Sequence, residues 1–189
     1  MTSRDMEWHI NKRGLSNKLL GEFMSTLSDP TFKKRFLGVF QWTEILDVKV
    51  INAVEKQEKT DDANISFIVN VGNHFVSVII TAVSILYIDS FAGRLSTPQL
   101  ATLFSRVKKR ETKSRSGVLN RTFFRNKRQI QSIESTHCGL YAILFCVWYL
   151  KHPSDRMKLR FSQSDLNQND AMCVKYLKKL VGDIELSVR

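Results

Sequence analysis

Cysteine is scarce in this chain of 189 residues, with only Cys138, Cys146 and Cys173 present. An odd, sparse set excludes a disulfide scaffold and points to a reducing compartment. The three share no metal-ligand spacing, and neither a metal nor an organic cofactor is expected. Long apolar runs are missing as well. The run from Leu140 to Leu150 holds eleven residues, whereas a bilayer takes ~20. The N-terminal segment has no apolar core resembling a signal peptide, and no lipidation motif or basic amphipathic helix occurs, so no membrane role is expected. Internal repeats, low-complexity tracts and convincing linkers are absent too, and the expectation is a single domain over residues 1–189. Acidic residues are in deficit, 18 against 29 Lys+Arg, for a net charge of +11 and a pI near 9.8. That imbalance calls for an anionic partner, nucleic acid or an acidic protein. No nucleic-acid-binding motif accompanies it, so any DNA contact would be with phosphate, non-specific and strongly salt-dependent.

What is present suffices for a globular core, with 43% hydrophobic residues. Leu15, Leu19, Leu20, Phe23 and Leu27 predict an amphipathic helix over 15–27, ended by Ser28-Asp29-Pro30. The aromatic-rich segment 32–40 reads as loop with a short strand, aromatics inward and cations outward. Residues 43–57 fit either a second helix or a strand followed by a turn, and 55–64 a charged surface loop. Strands are predicted over 65–71, 75–81 and 85–88, with Gly72-Asn73 as a turn. Ser96-Thr97-Pro98 starts a helix, with a hydroxyl cap and an early proline, that runs through Leu100, Leu103, Phe104 and Val107. Residues 118–133 read as one or two strands with an exposed basic face, Phe123 and Phe124 turned into the core. Residues 154–169 read as loop, and 170–181 as a terminal amphipathic helix.

The chain is organised around residues 131–149. A polar lead-in reaches Cys138-Gly139, and the eleven apolar residues after it predict a buried helix, stopped by Lys151, His152 and Pro153. A cysteine in the first turn of a helix meets unsatisfied N–H groups and the positive end of the dipole, an environment that favours thiolate. Cys146, inside the apolar run, reads as small apolar filler, and Cys173 as a surface or half-buried thiol. A thiol nucleophile also needs a base, a group to orient that base, and donors for the oxyanion. Centring the 81–84 reversal between Ala82 and Val83 pairs Thr81 with Ser84 and sets His74 opposite Phe91. His74 and Asp89 then become diagonal neighbours on one face, with β-carbons roughly 7–8 Å apart. A register shift of one residue would separate them. Gln131, seven residues before Cys138, supplies an amide N–H. His137 adjoins Cys138 but diverges from it at the helix start and reads as a rim residue, while His9 and His152 read as structural or exposed.

Taken together, Gly-Asn-His74-Phe, Ile-Asp89-Ser-Phe, Gln131 and Cys138-Gly-Leu-Tyr resemble the adenovirus proteases, or adenains, of a clan shared with the SUMO and ubiquitin-like-protein proteases. The resemblance covers His74 to Leu150, with Arg35-Phe36-Leu37-Gly38 similar to an upstream segment. It implies an α+β fold of the papain-like clan: a mixed central β-sheet packed on a buried helix that carries the nucleophile at its N-terminus, with peripheral helices. It implies a cysteine endopeptidase that matures viral precursor proteins at small or glycine-containing sites, with Cys138 as nucleophile, His74 as base, Asp89 as orienter and Gln131 as oxyanion donor. Gly72, Asn73 and Phe75, around the histidine, are the expected substrate-binding positions. The resemblance further implies stimulation by DNA and by a viral peptide, and places the protein, as a monomer, in the host nucleus and virion. The sequence departs from the family at three points. Phe75 stands where tryptophan is usual, Asp89 where many adenains have Glu, and residues 112–130 hold no cysteine for covalent attachment of the peptide, so that peptide would bind non-covalently.

The candidate DNA contacts are Lys108, Lys109, Arg110, Arg115, Arg125, Lys127 and Arg128. Two other functions share these residues: a deconjugating protease acting on SUMO or ubiquitin-like tails, and a non-enzymatic basic DNA-binding protein on the same fold.

Overall fold

A computed structural model describes residues 16–27, 30–58, 64–93, 97–111, 118–152 and 161–180. Arg115, His9 and residues 154–160 lie outside them. The described elements are α1 (Asn17–Thr26), α2 (Pro30–Arg35), β1 (Phe36–Gln41), α3 (Val48–Glu58), β2 (Ile65–Asn70), β3 (Phe75–Ile80), β4 (Ser84–Ile88), α4 (Pro98–Val107), β5 (Lys109–Glu111), β6 (Val118–Asn120), β7 (Thr122–Arg125), α5 (Cys138–Lys151) and α6 (Leu166–Leu180).

Five strands form one mixed sheet in the order β1-β2-β3-β4-β7. The inner pairs are antiparallel and the outer strands β1 and β7 run parallel to their neighbours. Strands β5 and β6 form a separate antiparallel pair. Every residue of β3, and all but the last of β2, is buried, as expected of strands covered on both faces. The side chains divide with the period of two that a strand imposes. Ile68, Phe75, Ile79 and Ile88 pack with α1, α5 and α6. Phe67, Val69, Val76, Val78, Ile80, Ile85 and Tyr87 pack with α4 and with Ile45 and Val54. The result is an α+β fold with the sheet between helical layers and α5 as the central helix of one of them.

Helix α5 is apolar all round because it is surrounded. Its residues from Gly139 to Val147 are buried, and Ser77 of β3 donates to the Ala142 carbonyl at 3.1 Å. The β3–β4 turn explains how weak turn residues hold a tight reversal. Thr81 does the work that Ala82 and Val83 cannot: its N–H donates to the Ser84 carbonyl at 2.8 Å, and its Oγ1 accepts the Ser84 N–H at 2.9 Å.

Several expectations need correction. Residues 30–35 are helical, with Pro30 in the first turn, where its missing N–H costs nothing; β1 then occupies the rest of the 32–40 segment as a full strand. Of the two readings for 43–57 the helix is right, and it extends to Glu58, into the expected loop. Helix α6 begins at Leu166 rather than 170, where Asp165 Oδ1 accepts the Gln168 N–H at 2.9 Å. Phe123 and Phe124 are exposed, 38% and 53%, because β7 is an edge strand whose four residues are all exposed. Arg121 is the reverse case: it is 1% exposed, not part of a basic face, and its Nε and Nη1 donate to the carbonyls of Thr81 at 2.7 Å and Val107 at 2.6 Å. Cys173 is fully buried in the core rather than at the surface.

Candidate active site

Three strand and helix ends and one loop build the site. His74 immediately precedes β3 and Asp89 immediately follows β4. The β3–β4 pairs Ile80↔Ile85 through Ser77↔Ile88, continued outward, set Val76 opposite Asp89, the register expected from the sequence. The two side chains meet across that diagonal, with His74 Nε2 2.6 Å from Asp89 Oδ1. Ahead of His74, Gly72 turns the chain at φ +112°, a conformation that favours glycine. The Val71 N–H then donates to the His74 carbonyl at 2.9 Å.

Asp89 is buried and fully engaged. Besides His74, Oδ1 accepts the Phe91 N–H at 2.8 Å and Oδ2 accepts the Gly93 N–H at 3.0 Å. Its backbone is clamped by Asn126, whose Oδ1 accepts the Asp89 N–H at 2.9 Å and whose Nδ2 donates to the Asp89 carbonyl at 2.5 Å. Burial disfavours the carboxylate, but the hydrogen bond and charge of His74 and the two backbone donors outweigh it, and the Asp89 pKa falls below its ordinary value. For His74, burial works against the cation. The hydrogen bond to Asp89, the nearby Cys138 and Coulomb attraction to both together prevail, and the imidazole is raised to about 9. At neutral pH it is an imidazolium held by a carboxylate.

Cys138 opens α5 and is half-buried. No side chain caps this helix end, so the first-turn N–H groups stay available to negative charge. His74 Nε2 faces Asp89, which leaves Nδ1 for the thiol; Nδ1 is buried and makes no completed hydrogen bond. Cys138 thus stands close enough to the ring to raise its pKa without being bonded to it at full geometry. The aromatic surface on the imidazole is Phe91, with ring centroids 4.8 Å apart and planes tilted by 34°. Phe75 does not fill that place: its side chain is buried in the core beneath α5, because the residue after His74 points to the opposite face of the strand. Gly72 and Asn73 are exposed in the turn beside His74.

Gln131 is 0% exposed. Its Nε2 donates to the Ser135 carbonyl at 2.8 Å and its Oε1 accepts from Ser90 Oγ at 2.5 Å. The Ser135 carbonyl can only accept, so the nitrogen of the amide is identified by its partner. One of the two N–H groups on Nε2 is used there, and the second remains. The loop bearing Gln131 is anchored from behind: Asn169 Nδ2 donates to the Ile130 carbonyl at 2.9 Å, and Tyr141 Oη shares its one proton between that carbonyl, at 3.1 Å, and Asp170 Oδ1, at 2.9 Å. His137 leans away, its Nδ1 2.8 Å from Ser135 Oγ, consistent with a rim position. His152 is half-buried beside Trp148.

Sequence reasoning missed Ser90, Phe91, Gly93 and Asn126. Their signal was faint, a serine and an aromatic after Asp89 and an asparagine after a strand. Ser90 and Asn126 act through hydrogen bonds across 41 and 37 positions, whereas Phe91 and Gly93 bond Asp89 locally. Among the described residues no group of three or more His, Cys, Asp or Glu side chains is placed to hold a metal ion. None of the described helices is long and apolar enough to cross a membrane.

The basic residues lie elsewhere. Lys108, Arg125, Lys127 and Arg128 are exposed, and Lys109 and Arg110 belong to β5. Lys108 and Arg125 flank a cavity of about 420 Å³ floored by Ile85, Phe104 and Phe123. Ile85 and Phe104 belong to the core on the α4 side, whereas Cys138 packs on the other.

No family model and no curated protein sequence matches this chain. Solved structures do. A de-sumoylating protease is similar over 97% of this chain and 81% of its own, with TM-score 0.50 and 17% identity. The SUMO protease Ulp1 is similar in a form whose catalytic cysteine is oxidised to a sulfenic acid, over 97% and 84% of the two chains, with TM-score 0.55 and 15% identity. Its sulfonic acid form gives TM-score 0.54 over 96% and 84% at 15% identity. These likenesses concern the SUMO-protease branch of the clan rather than adenains in particular, and at such identities they establish architecture: the chain has the fold of the SUMO proteases.

Proposed function

We propose that this chain is a cysteine endopeptidase in which Cys138, His74, Asp89 and Gln131 carry out peptide-bond hydrolysis. The observation that carries the proposal is the placement of His74 between Asp89, at 2.6 Å, and Cys138 at the uncapped start of α5. The Cys138 thiolate attacks the scissile carbonyl carbon, and the carbonyl π electrons move onto oxygen. The remaining Gln131 N–H and the Cys138 backbone N–H stabilise that oxyanion. His74 passes a proton to the leaving amine as the C–N bond breaks, leaving a thioester. It then takes a proton from the water that attacks the thioester, and the Cys138 sulfur departs with the electron pair. Asp89 holds the ring's orientation and stabilises its charged form.

The motif resemblance supports viral precursor proteins as substrates, cut at small or glycine-containing sites, in the host nucleus and virion. The whole-chain likeness to SUMO proteases favours a second reading, release of SUMO or ubiquitin-like modifiers. Hydrolysis of a glycine-containing peptide amide, compared with cleavage of a SUMO fusion, separates the two. Labelling by a substrate-like thiol probe tests the chemistry. Wild type is labelled and Cys138→Ala is not; cleavage that survives Cys138→Ala refutes the mechanism.

DNA is the proposed surface cofactor. The net charge of +11 and the exposed Lys108, Arg125, Lys127 and Arg128 support it. Log affinity for duplex DNA should fall linearly with log salt as counterions are released. A flat response removes phosphate contacts from the account. An activating viral peptide, bound without a covalent link, completes the proposal; addition of candidate precursor peptides to the DNA-bound enzyme tests it.

A further inference from the structure

We propose that Ser90 is a positioning residue for the oxyanion donor, a role that rests on the reading of Gln131 given above. Ser90 is buried, and it grips Gln131 at both ends. Its hydroxyl donates to Gln131 Oε1 at 2.5 Å. Its carbonyl accepts the backbone N–H of Gln131 at 3.2 Å and that of Ile130 at 2.9 Å.

A primary amide has two chemically opposite ends that differ by a half-turn of the side chain. An oxyanion hole works only with the N–H end forward; the C=O end would repel the developing charge. The Ser135 carbonyl attracts the N–H end, and the Ser90 hydroxyl occupies the C=O end. Gln131 is wholly buried, so bulk solvent does not reach its amide oxygen in place of the Ser90 hydroxyl. The amide oxygen is then left without a donor and the side chain loses the contact that fixes its rotation. The hydroxyl also polarises the amide, which strengthens its N–H as a donor when charge builds on the substrate oxygen.

Ser90 follows Asp89 directly. One dipeptide therefore serves both halves of the site, Asp89 setting the base and Ser90 setting the oxyanion donor. The two roles can be separated because alkylation of Cys138 by iodoacetamide forms an S–C bond and expels iodide without creating an oxyanion. That reaction reads the state of the thiol and its base alone.

The experiment compares wild type, Ser90→Ala, Gln131→Ala and the double variant in two assays, hydrolysis of a fluorogenic glycine-containing peptide amide and alkylation by iodoacetamide. Ser90→Ala should lower kcat roughly tenfold or more with KM unchanged, and should alkylate at the wild-type rate. The double variant should hydrolyse no more slowly than Gln131→Ala. A kcat within twofold of wild type, a matching loss of alkylation, or additive losses in the double variant overturns the proposal. If Ser90→Ala does not fold, Ser90→Cys keeps the side chain's form with a weaker donor. It should then lower kcat at an unchanged alkylation rate, and equal kcat refutes the role. Gln131→Ala with wild-type kcat would instead sink the oxyanion reading itself, whatever Ser90 does.

Discussion

His74 and Asp89 meet although neither lies within a paired strand: His74 sits one residue before β3 and Asp89 one residue after β4, and Nε2 of one is 2.6 Å from Oδ1 of the other. The contact is a diagonal one, so it depends on register, and register depends on the reversal at 81–84. A slip of one residue would turn Asp89 away from the face it shares with Ile85 and Tyr87 and leave His74 without its carboxylate.

The pH dependence of this pair has a definite sign. The His74 pKa is raised from 6.5 to about 9, so its contribution to stability is fully present below about 6.5 and is lost as pH rises through about 9. The Asp89 pKa is lowered from 3.8, so its contribution is present above that value and is lost as pH falls through the folded pKa. The stability advantage of wild type over Asp89→Asn should be greatest between these limits and shrink toward pH 9 and in acid. Urea unfolding of both proteins across pH measures it. An NMR titration in which His74 has a midpoint near 6.5 would contradict the assignment.

The three thiols should differ sharply in reactivity. Cys146 is fully buried and burial pushes its thiol up to about 12. Cys173 is also buried, and burial with the nearby Asp170 raises it well above its ordinary value. Cys138 alone is half-exposed, beside an imidazolium. Native protein under reducing conditions should take up one equivalent of iodoacetamide, on Cys138, and unfolded protein three. His74→Ala should slow the native reaction about tenfold or more at neutral pH by removing the neighbouring cation. Peptide mapping of the alkylated protein identifies the site.

These features differ in how far they can be read from the sequence. The β3–β4 register followed from one decision, where to centre the reversal, and period-two geometry then fixed the His74–Asp89 diagonal. Helix α5 was legible because an apolar run of that length has few other fates. The supports were not legible. Ser90, Asn126, Asn169 and Tyr141 act through hydrogen bonds between distant segments, and nothing local distinguishes a buried serine from a turn serine. Residue type predicts a cation such as Arg121 outside and Phe124 inside, and the structure reverses both. Here an edge strand leaves aromatics outside, and two free carbonyls draw a guanidinium inside. Adjacency to His74 suggests a place for Phe75 beside the base, but adjacent strand residues point to opposite faces and Phe75 is in the core.

Gly93 holds Asp89 by offering a backbone donor at close range. A β-carbon at position 93 would overlap Asp89 Oδ2, and the atom in its path is the carboxylate that orients His74. Gly93→Ala should therefore displace the carboxylate, lower kcat by about tenfold or more, and destabilise the fold by ~1–3 kcal/mol through the lost charge-assisted bond. Its His74 midpoint should fall from about 9 toward 6.5 as the carboxylate recedes. An unchanged midpoint with normal turnover would show that the loop simply yields.

Arg121 tests whether the register device lies outside the site. Its Nε donates to the Thr81 carbonyl, in the reversal that fixes β3 against β4, and its Nη1 donates to the Val107 carbonyl at the end of α4. A cation buried this deeply is retained only if its hydrogen bonds compensate for lost hydration. Arg121→Met keeps the length and apolar volume but leaves both carbonyls without that donor, which should cost ~2–4 kcal/mol of stability. Arg121→Lys supplies a single ammonium where a planar fork reaches two acceptors, and should lose less than the methionine variant but not be neutral. Because Thr81 sits at the head of the hairpin whose far end carries His74 and Asp89, the methionine variant should also lower kcat at temperatures well below its unfolding transition. Chemical denaturation gives the stability, and turnover at a temperature where all variants are folded gives the second effect. A methionine variant with lost stability and unaltered turnover would mean that the turn is fixed by Thr81 alone.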